Sequence, residues 1–197
     1  MKIILFTFLF VTSTVVFAQK QQRQISLEIT NSHSAFPFGK FASLFTSPYH
    51  LGFLVGYEFN WKTKPKHDWF QTFKGGYFFH RFVQHGIPLY TATGYRYKLS
   101  NNVHVSAALG VGYMHSIPAM EQYKLNDNGE YENGKGIGRG QAILNFTTGL
   151  NYILPTKKAT TVFINYQQQI QAPFIKSYVP LLPYNIISFG FKMPFTQ

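Results

Sequence analysis

The 197-residue sequence contains no cysteine and only seven acidic residues, and past its first eighteen positions no apolar run is long enough for a helix to cross a bilayer. The missing cysteines exclude a disulfide framework, a thiolate nucleophile and a thiolate metal site. Charged residues amount to 13% of the chain, against roughly 25% in an ordinary soluble domain, whereas aromatic residues reach 18%. Much of the surface is therefore expected to meet something other than water. The formal charge of +11 is spread singly or in short turns rather than in one stripe. That distribution suits two anionic membrane surfaces better than a polyanionic strand, so no nucleic-acid partner is expected.

What the chain does have begins with Lys2, a mostly apolar run from Ile3 to Phe17, and Ala18. A short positive start, an apolar segment and a closing small residue predict a signal peptide cut after Ala18. Thr7, Thr12, Ser13 and Thr14 interrupt the run and argue against a retained membrane helix. Taking 18 residues from 197 leaves 179, residues 19–197, which suits one domain. Any crossing of a membrane by that domain has to be made by strands.

From Gln24 onward apolar and polar residues alternate with period two, mostly over lengths that a tilted strand needs to span hydrocarbon. Eight segments are predicted: Gln24 to Thr30, His50 to Trp61, Trp69 to Gln84, Leu89 to Lys98, Val103 to Met114, Gln141 to Ile153, Thr160 to Gln169 and Tyr184 to Phe195. Their links alternate between short polar turns and long loops, with one short exception expected around His85, Gly86 and Ile87. This pattern predicts an all-β, eight-stranded, antiparallel, up-and-down transmembrane barrel, with short turns in the periplasm and long loops outside.

The second segment sets Leu51, Phe53, Val55, Tyr57 and Phe59 against Gly52, Gly56, Glu58 and Asn60. So narrow a barrel has no room for all the bulky side chains, so large residues are expected to face lipid and small or polar ones the lumen. Trp61, Trp69, Tyr95, Tyr97, Tyr152 and Phe195 fall where strands leave the bilayer on the periplasmic side and predict an aromatic girdle. On the expected lipid face the one charge is Arg81, near an outer strand end.

The carboxyl end, Ser188, Phe189, Gly190, Phe191, Lys192, Met193, Pro194, Phe195, resembles the terminal-strand signal that delivers outer-membrane barrels to their assembly machinery. Ser188, Gly190, Met193 and Phe195 carry the likeness; Pro194 departs from it by removing one backbone donor. The mature chain as a whole is similar to the superfamily of small eight-stranded outer-membrane proteins of Gram-negative bacteria, many from Bacteroidetes. That resemblance implies architecture and location, with outer-membrane lipid, lipopolysaccharide and the barrel-assembly machinery as partners, and leaves activity open. Lipid A 3-O-deacylases end in a similar last strand. Their chemistry uses a histidine base and serine nucleophile spaced His, any residue, Ser, Asn near the outer end of the penultimate strand. Phe163 to Gln169, the matching stretch, contains neither.

Other constellations are weighed on geometry. His104, Val105, Ser106 has base and hydroxyl on one face, at the wrong end for an outer-leaflet substrate. His115 and Ser116, with Glu121, lie at the outer rim, but adjacent strand residues point to opposite faces. They are the catalytic candidates should the protein be an acyl hydrolase acting on lipid A. Glu28, Glu58, Lys74, Arg96 and Lys192 all fall on the inward face, where the first strand closes against the last. They predict a salt-bridged plug, the alternative being an ion or proton path through a narrow pore. The seven histidines show no metal-ligand spacing with a matching carboxylate, and no metal or cofactor is assigned. The stretch from His115 to Gly140 holds four of the seven acids and two turn signals, and reads as a surface hairpin extending the fifth and sixth strands. The expected function is a non-enzymatic surface barrel whose long loops meet a protein, glycan or lipid partner.

Overall fold

A computed structural model describes residues 23–34, 43–46, 48–120, 123–126, 128–134, 136–156, 159–174 and 180–195. The eight predicted segments are all strands: β1 (Arg23–Ser34), β2 (Leu51–Thr63), β3 (His67–His80), β4 (Gln84–Lys98), β5 (Val103–Pro118), β8 (Arg139–Ile153), β9 (Thr161–Ala172) and β10 (Leu182–Pro194). Between β5 and β8 stand two short strands, β6 (Tyr123–Leu125) and β7 (Tyr131–Asn133), and one helical turn, α1 (Ser43–Thr46), precedes β2. The eight long strands form a closed antiparallel barrel in which each pairs with its chain neighbour and β1 with β10. At the seam Gln24 lies opposite Pro194, and the Phe195 amide donates to the Arg23 carbonyl at 2.8 Å. Closure leaves no unpaired sheet edge, the condition for strands to survive in hydrocarbon. No helix among the described residues is long and apolar enough to cross a membrane.

Several boundaries differ from the sequence reading: β4 begins at Gln84 instead of Leu89, β5 runs on from Met114 to Pro118, β9 from Gln169 to Ala172, and other ends, those of β1 and β3 apart, move by one or two residues. β1 runs four residues past Thr30 to Ser34, because Asn31 to Ser34 keep pairing with β10. β3 stops at His80, not Gln84, and the turn is Arg81 to Val83, closed by the Val83 amide on the His80 carbonyl at 3.0 Å. His85 and Ile87 accordingly belong to β4, paired with Phe79 and His115 respectively, and Arg81 sits in the turn over the Phe82 ring rather than on the lipid face. Short turns gather at one end of the barrel; the long connections and the 81–83 turn lie at the other. β6 and β7 make a hairpin in the predicted stretch, though as a separate two-stranded sheet and not as an extension of β5 and β8; it reverses where the Asn126 side-chain oxygen accepts the amides of Asn128 and Glu130, with Gly129 at a positive φ of 81°.

Alternation sorts the faces as period two requires. In β1 Ser26, Glu28, Thr30 and Ser32 are buried while Ile25, Leu27 and Ile29 are exposed outward. The expectation that bulk points outward needs correction, since Phe70, Phe78, Tyr90 and Phe163 are buried inside. Each faces a glycine on the next strand: Phe70 opposite Gly94, Phe78 opposite Gly86, Tyr90 opposite Gly112 and Phe163 opposite Gly190. A β-carbon at any of these glycines would collide with the ring or the facing backbone. Large and small residues thus alternate around the tube, and a narrow interior is filled without strain on the strands.

Candidate functional site: the lumen and its two mouths

The inward residues form three layers. Nearest the short turns lies an ionic layer. Glu58 is held from two strands, by Arg96 through one carboxylate oxygen and by Lys192 Nζ donating to the other at 2.6 Å. Glu28 pairs with Lys74 and accepts the Ser188 hydroxyl at 3.0 Å. All five charges that the inward parity singled out are therefore brought into two adjoining groups. The Arg96 guanidinium lies 4.5 Å from the Phe70 ring centroid and Lys192 Nζ 5.1 Å from that of Phe163, so the inward aromatics shield the cations as well as fill space. Sequence reading missed a fourth ion pair closer to the mouth, Lys98 Nζ with Asp68 at 2.9 Å. The signal was present: Asp68 has the inward parity of Phe70 and Thr72, but it lay just before the predicted start of its strand.

In the middle is an apolar band of Leu54, Phe78, Tyr90, Met114, Ile143, Tyr184 and Ile186, all buried. Beyond it, toward the long loops, the lumen is filled by uncharged polar groups. Gln84 and Gln171 exchange amide hydrogen bonds at 2.7 and 3.0 Å, Gln84 also donates to the Tyr184 hydroxyl at 3.1 Å, and Gln171 donates to Gln141. Gln141 in turn donates to the Pro173 carbonyl at 2.7 Å. At the rim the His50 and His80 rings stack with centroids 3.7 Å apart and 5° between planes. His50 Nδ1 donates to the Ser32 carbonyl at 3.1 Å, its amide to Asn31 Oδ1 at 2.9 Å, and Asn31 donates to the Leu44 carbonyl of α1 at 3.0 Å. Burial lowers the His50 pKa, opposed by its bond to Ser32 and assisted by nearby His33.

The rim candidates for hydrolysis do not assemble. Both lie inside β5, so no loop reorients them. The His115 ring is outside, its Nδ1 against the Tyr113 hydroxyl at 3.1 Å and its Nε2 against the Ile137 carbonyl at 2.8 Å. The Ser116 hydroxyl is buried in the lumen and donates to Gln84. Glu121 lies outside the described residues. His104 and Ser106 both face inward near the short turns, and the Ser106 hydroxyl accepts from Asn151 at 3.1 Å. Among the described residues no group of three histidines or carboxylates is placed to hold a metal ion.

On the outer face Trp61, Trp69, Tyr95, Tyr97, Tyr152 and Phe195 are all exposed at the short-turn end, with the Trp69 and Tyr95 rings in edge contact at 5.3 Å. In the last strand Ser188 and Gly190 face inward, whereas Met193 is exposed outward, as is Phe195 just past the strand's end.

Comparison with known proteins gives a likeness of fold. No family model matches the chain, and no curated protein sequence does. Solved structures do. Neisserial surface protein A superposes with a TM-score of 0.54 at 8% identity over 90% of this chain and all of its own. Ail, the attachment invasion locus protein of Yersinia pestis, solved in complex with the heparin analogue sucrose octasulfate, gives 0.50 at 14% identity over the same shares. The outer membrane enzyme PagL gives 0.49 at 9% identity over 87% of this chain and 99% of its own. The closed barrel described above is thus the fold of small eight-stranded outer-membrane β-barrels.

Proposed function

We propose that the protein is a non-enzymatic barrel of the outer membrane, exported by removal of residues 1–18 and inserted by the barrel-assembly machinery through its last strand. Its short turns face the periplasm and its long loops the cell surface, where they meet lipopolysaccharide, a glycan or a protein. The observation that carries this reading is the filled lumen. An ionic layer, a buried apolar cluster and an amide network occupy the lumen among the described residues, and a tube filled by side chains is expected not to conduct. Loops on a rigid scaffold are where binding residues concentrate, and here they present Tyr131 and Ile137 exposed to the outside.

Purified mature protein in planar bilayers is expected to give no steady ion conductance; large, stable channel events would overturn the filled-lumen reading. The separation of His115 from Ser116 supports the absence of hydrolase activity. Mass spectrometry of lipid A from cells with and without the gene should show the same acyl chains, and a difference in chain number would make the protein an enzyme.

A further inference from the structure

Among the described residues, a cavity of about 470 Å³ opens into the lumen at the short-turn end. This is within the range of small-molecule sites, roughly 300 to 1,000 Å³. Four cations line it, Lys66, Arg96, Lys98 and Lys192, against the single carboxylate of Asp68. Asn101 and Asn151 add amide donors to the wall.

The charge on this wall is not balanced by the layers behind it. The deepest pair, Glu28 with Lys74, is neutral. At the mouth Lys98 is matched by Asp68 and steadied by the Lys64 carbonyl at 3.0 Å. Between them one carboxylate, Glu58, serves two cations, Arg96 and Lys192. Both cations are 93% buried, and Glu58 lies behind them rather than on the cavity wall. One buried positive charge is left over, and the exposed side of the same wall adds Lys66. Among the described residues the layers beneath supply no further anion, and an anion in the cavity is placed to supply the countercharge. A buried, unmatched charge is costly, and an anion that completes the layer recovers that cost.

We propose that this vestibule is a binding site for a small multivalent anion of phosphate or polycarboxylate type. Two surplus positive charges select a dianion over chloride, and the amides of Asn101 and Asn151 hydrogen-bond its remaining oxygens. The compartment that supplies the anion rests on the orientation proposed above; the binding does not, so the test is made in detergent micelles.

The mature protein is titrated calorimetrically with pyrophosphate and with citrate at fixed ionic strength, and its melting temperature is followed beside a chloride reference. Saturable binding at one site per barrel with a raised melting temperature is expected. A response to pyrophosphate alone assigns the site to phosphates, and a response to both assigns it to multivalent anions generally. Lys66→Ala, at an exposed position, should weaken binding about threefold, a difference of about 0.65 kcal/mol. Lys192→Met leaves Glu58 paired with Arg96 alone and should abolish the anion-induced rise in melting temperature while the barrel still folds. Equal melting in chloride and in both anions would overturn the site, since Lys192 would then balance its layer by giving up a proton. So would an anion-induced rise that survives in the Lys66→Ala, Lys192→Met double variant.

Discussion

At the short-turn end the lumen is filled by carboxylates and cations that have few substitutes for one another; at the long-loop end it is filled by amides that have several. Glu58 is the shared anion of Arg96 and Lys192. Gln84, by contrast, bonds Ser116, Gln171 and Tyr184 together. The same geometric task of occupying a narrow tube is met by two kinds of network, and they should fail differently. Removing the shared anion of the ionic layer orphans buried charges, whereas removing one amide leaves its neighbours other partners.

Glu58→Ala tests the harsher half. It leaves both cations unpaired and should destabilise the barrel by about 3 to 5 kcal/mol, seen as a lower unfolding temperature in detergent without any conductance. A melting curve unchanged from the parent would erase the contrast between the halves. Gly94→Val acts on the same half through packing, pressing on the Phe70 ring that lies beneath Arg96. A cost of about 1 to 3 kcal/mol is expected, and Phe70→Ala in the same chain should recover part of it in a double-mutant cycle. Additivity of the two changes would mean that ring and glycine are not coupled. Gln171→Leu probes the tolerant half. Because Gln84 keeps Tyr184 and Ser116, the loss should be only about 1 kcal/mol by denaturant titration, and a loss as large as that of Glu58→Ala would refute the redundancy.

The smallest effect is on acid sensitivity at the outer mouth. His50 has a folded-state pKa below its unfolded value of about 6.5, so the folded state binds fewer protons than the unfolded chain. Its contribution is full above that value and is lost as pH falls below it. Melting temperature should therefore drop between pH 7.5 and pH 5, and His50→Gln should flatten the drop. An identical pH slope in the variant would remove His50 from the account.

How much of this was legible in the sequence follows from what period two does and does not encode. Parity told which side chains share a face, so the strands, the inward position of Glu28, Glu58, Lys74, Arg96 and Lys192, and the outward girdle were readable before any coordinates. Parity says nothing of register. That Lys192 meets Glu58, 134 residues away, depends on the closure of β10 onto β1. The amide network had no sequence signal beyond Gln167, Gln169 and Gln171 recurring at every second position; its partners Gln84 and Gln141 come from β4 and β8. The turn at Arg81 to Val83 carries neither glycine nor proline, and the reading moved it to the nearby Gly86, which instead makes room for Phe78. Inward aromatics were unexpected for the same reason: volume is judged by a pair, and the pair becomes visible only with the register.

The four ring-and-glycine pairs also make a forecast about evolution. In a tube whose bore does not change, what one wall gains the opposite position on the next strand must give up. Descendant sequences should then drift at Phe70 and Gly94, or Phe163 and Gly190, by exchange, an aromatic moving across the ladder as its glycine grows, while single steps at either position are purged. An alignment of relatives should carry that exchange as paired columns.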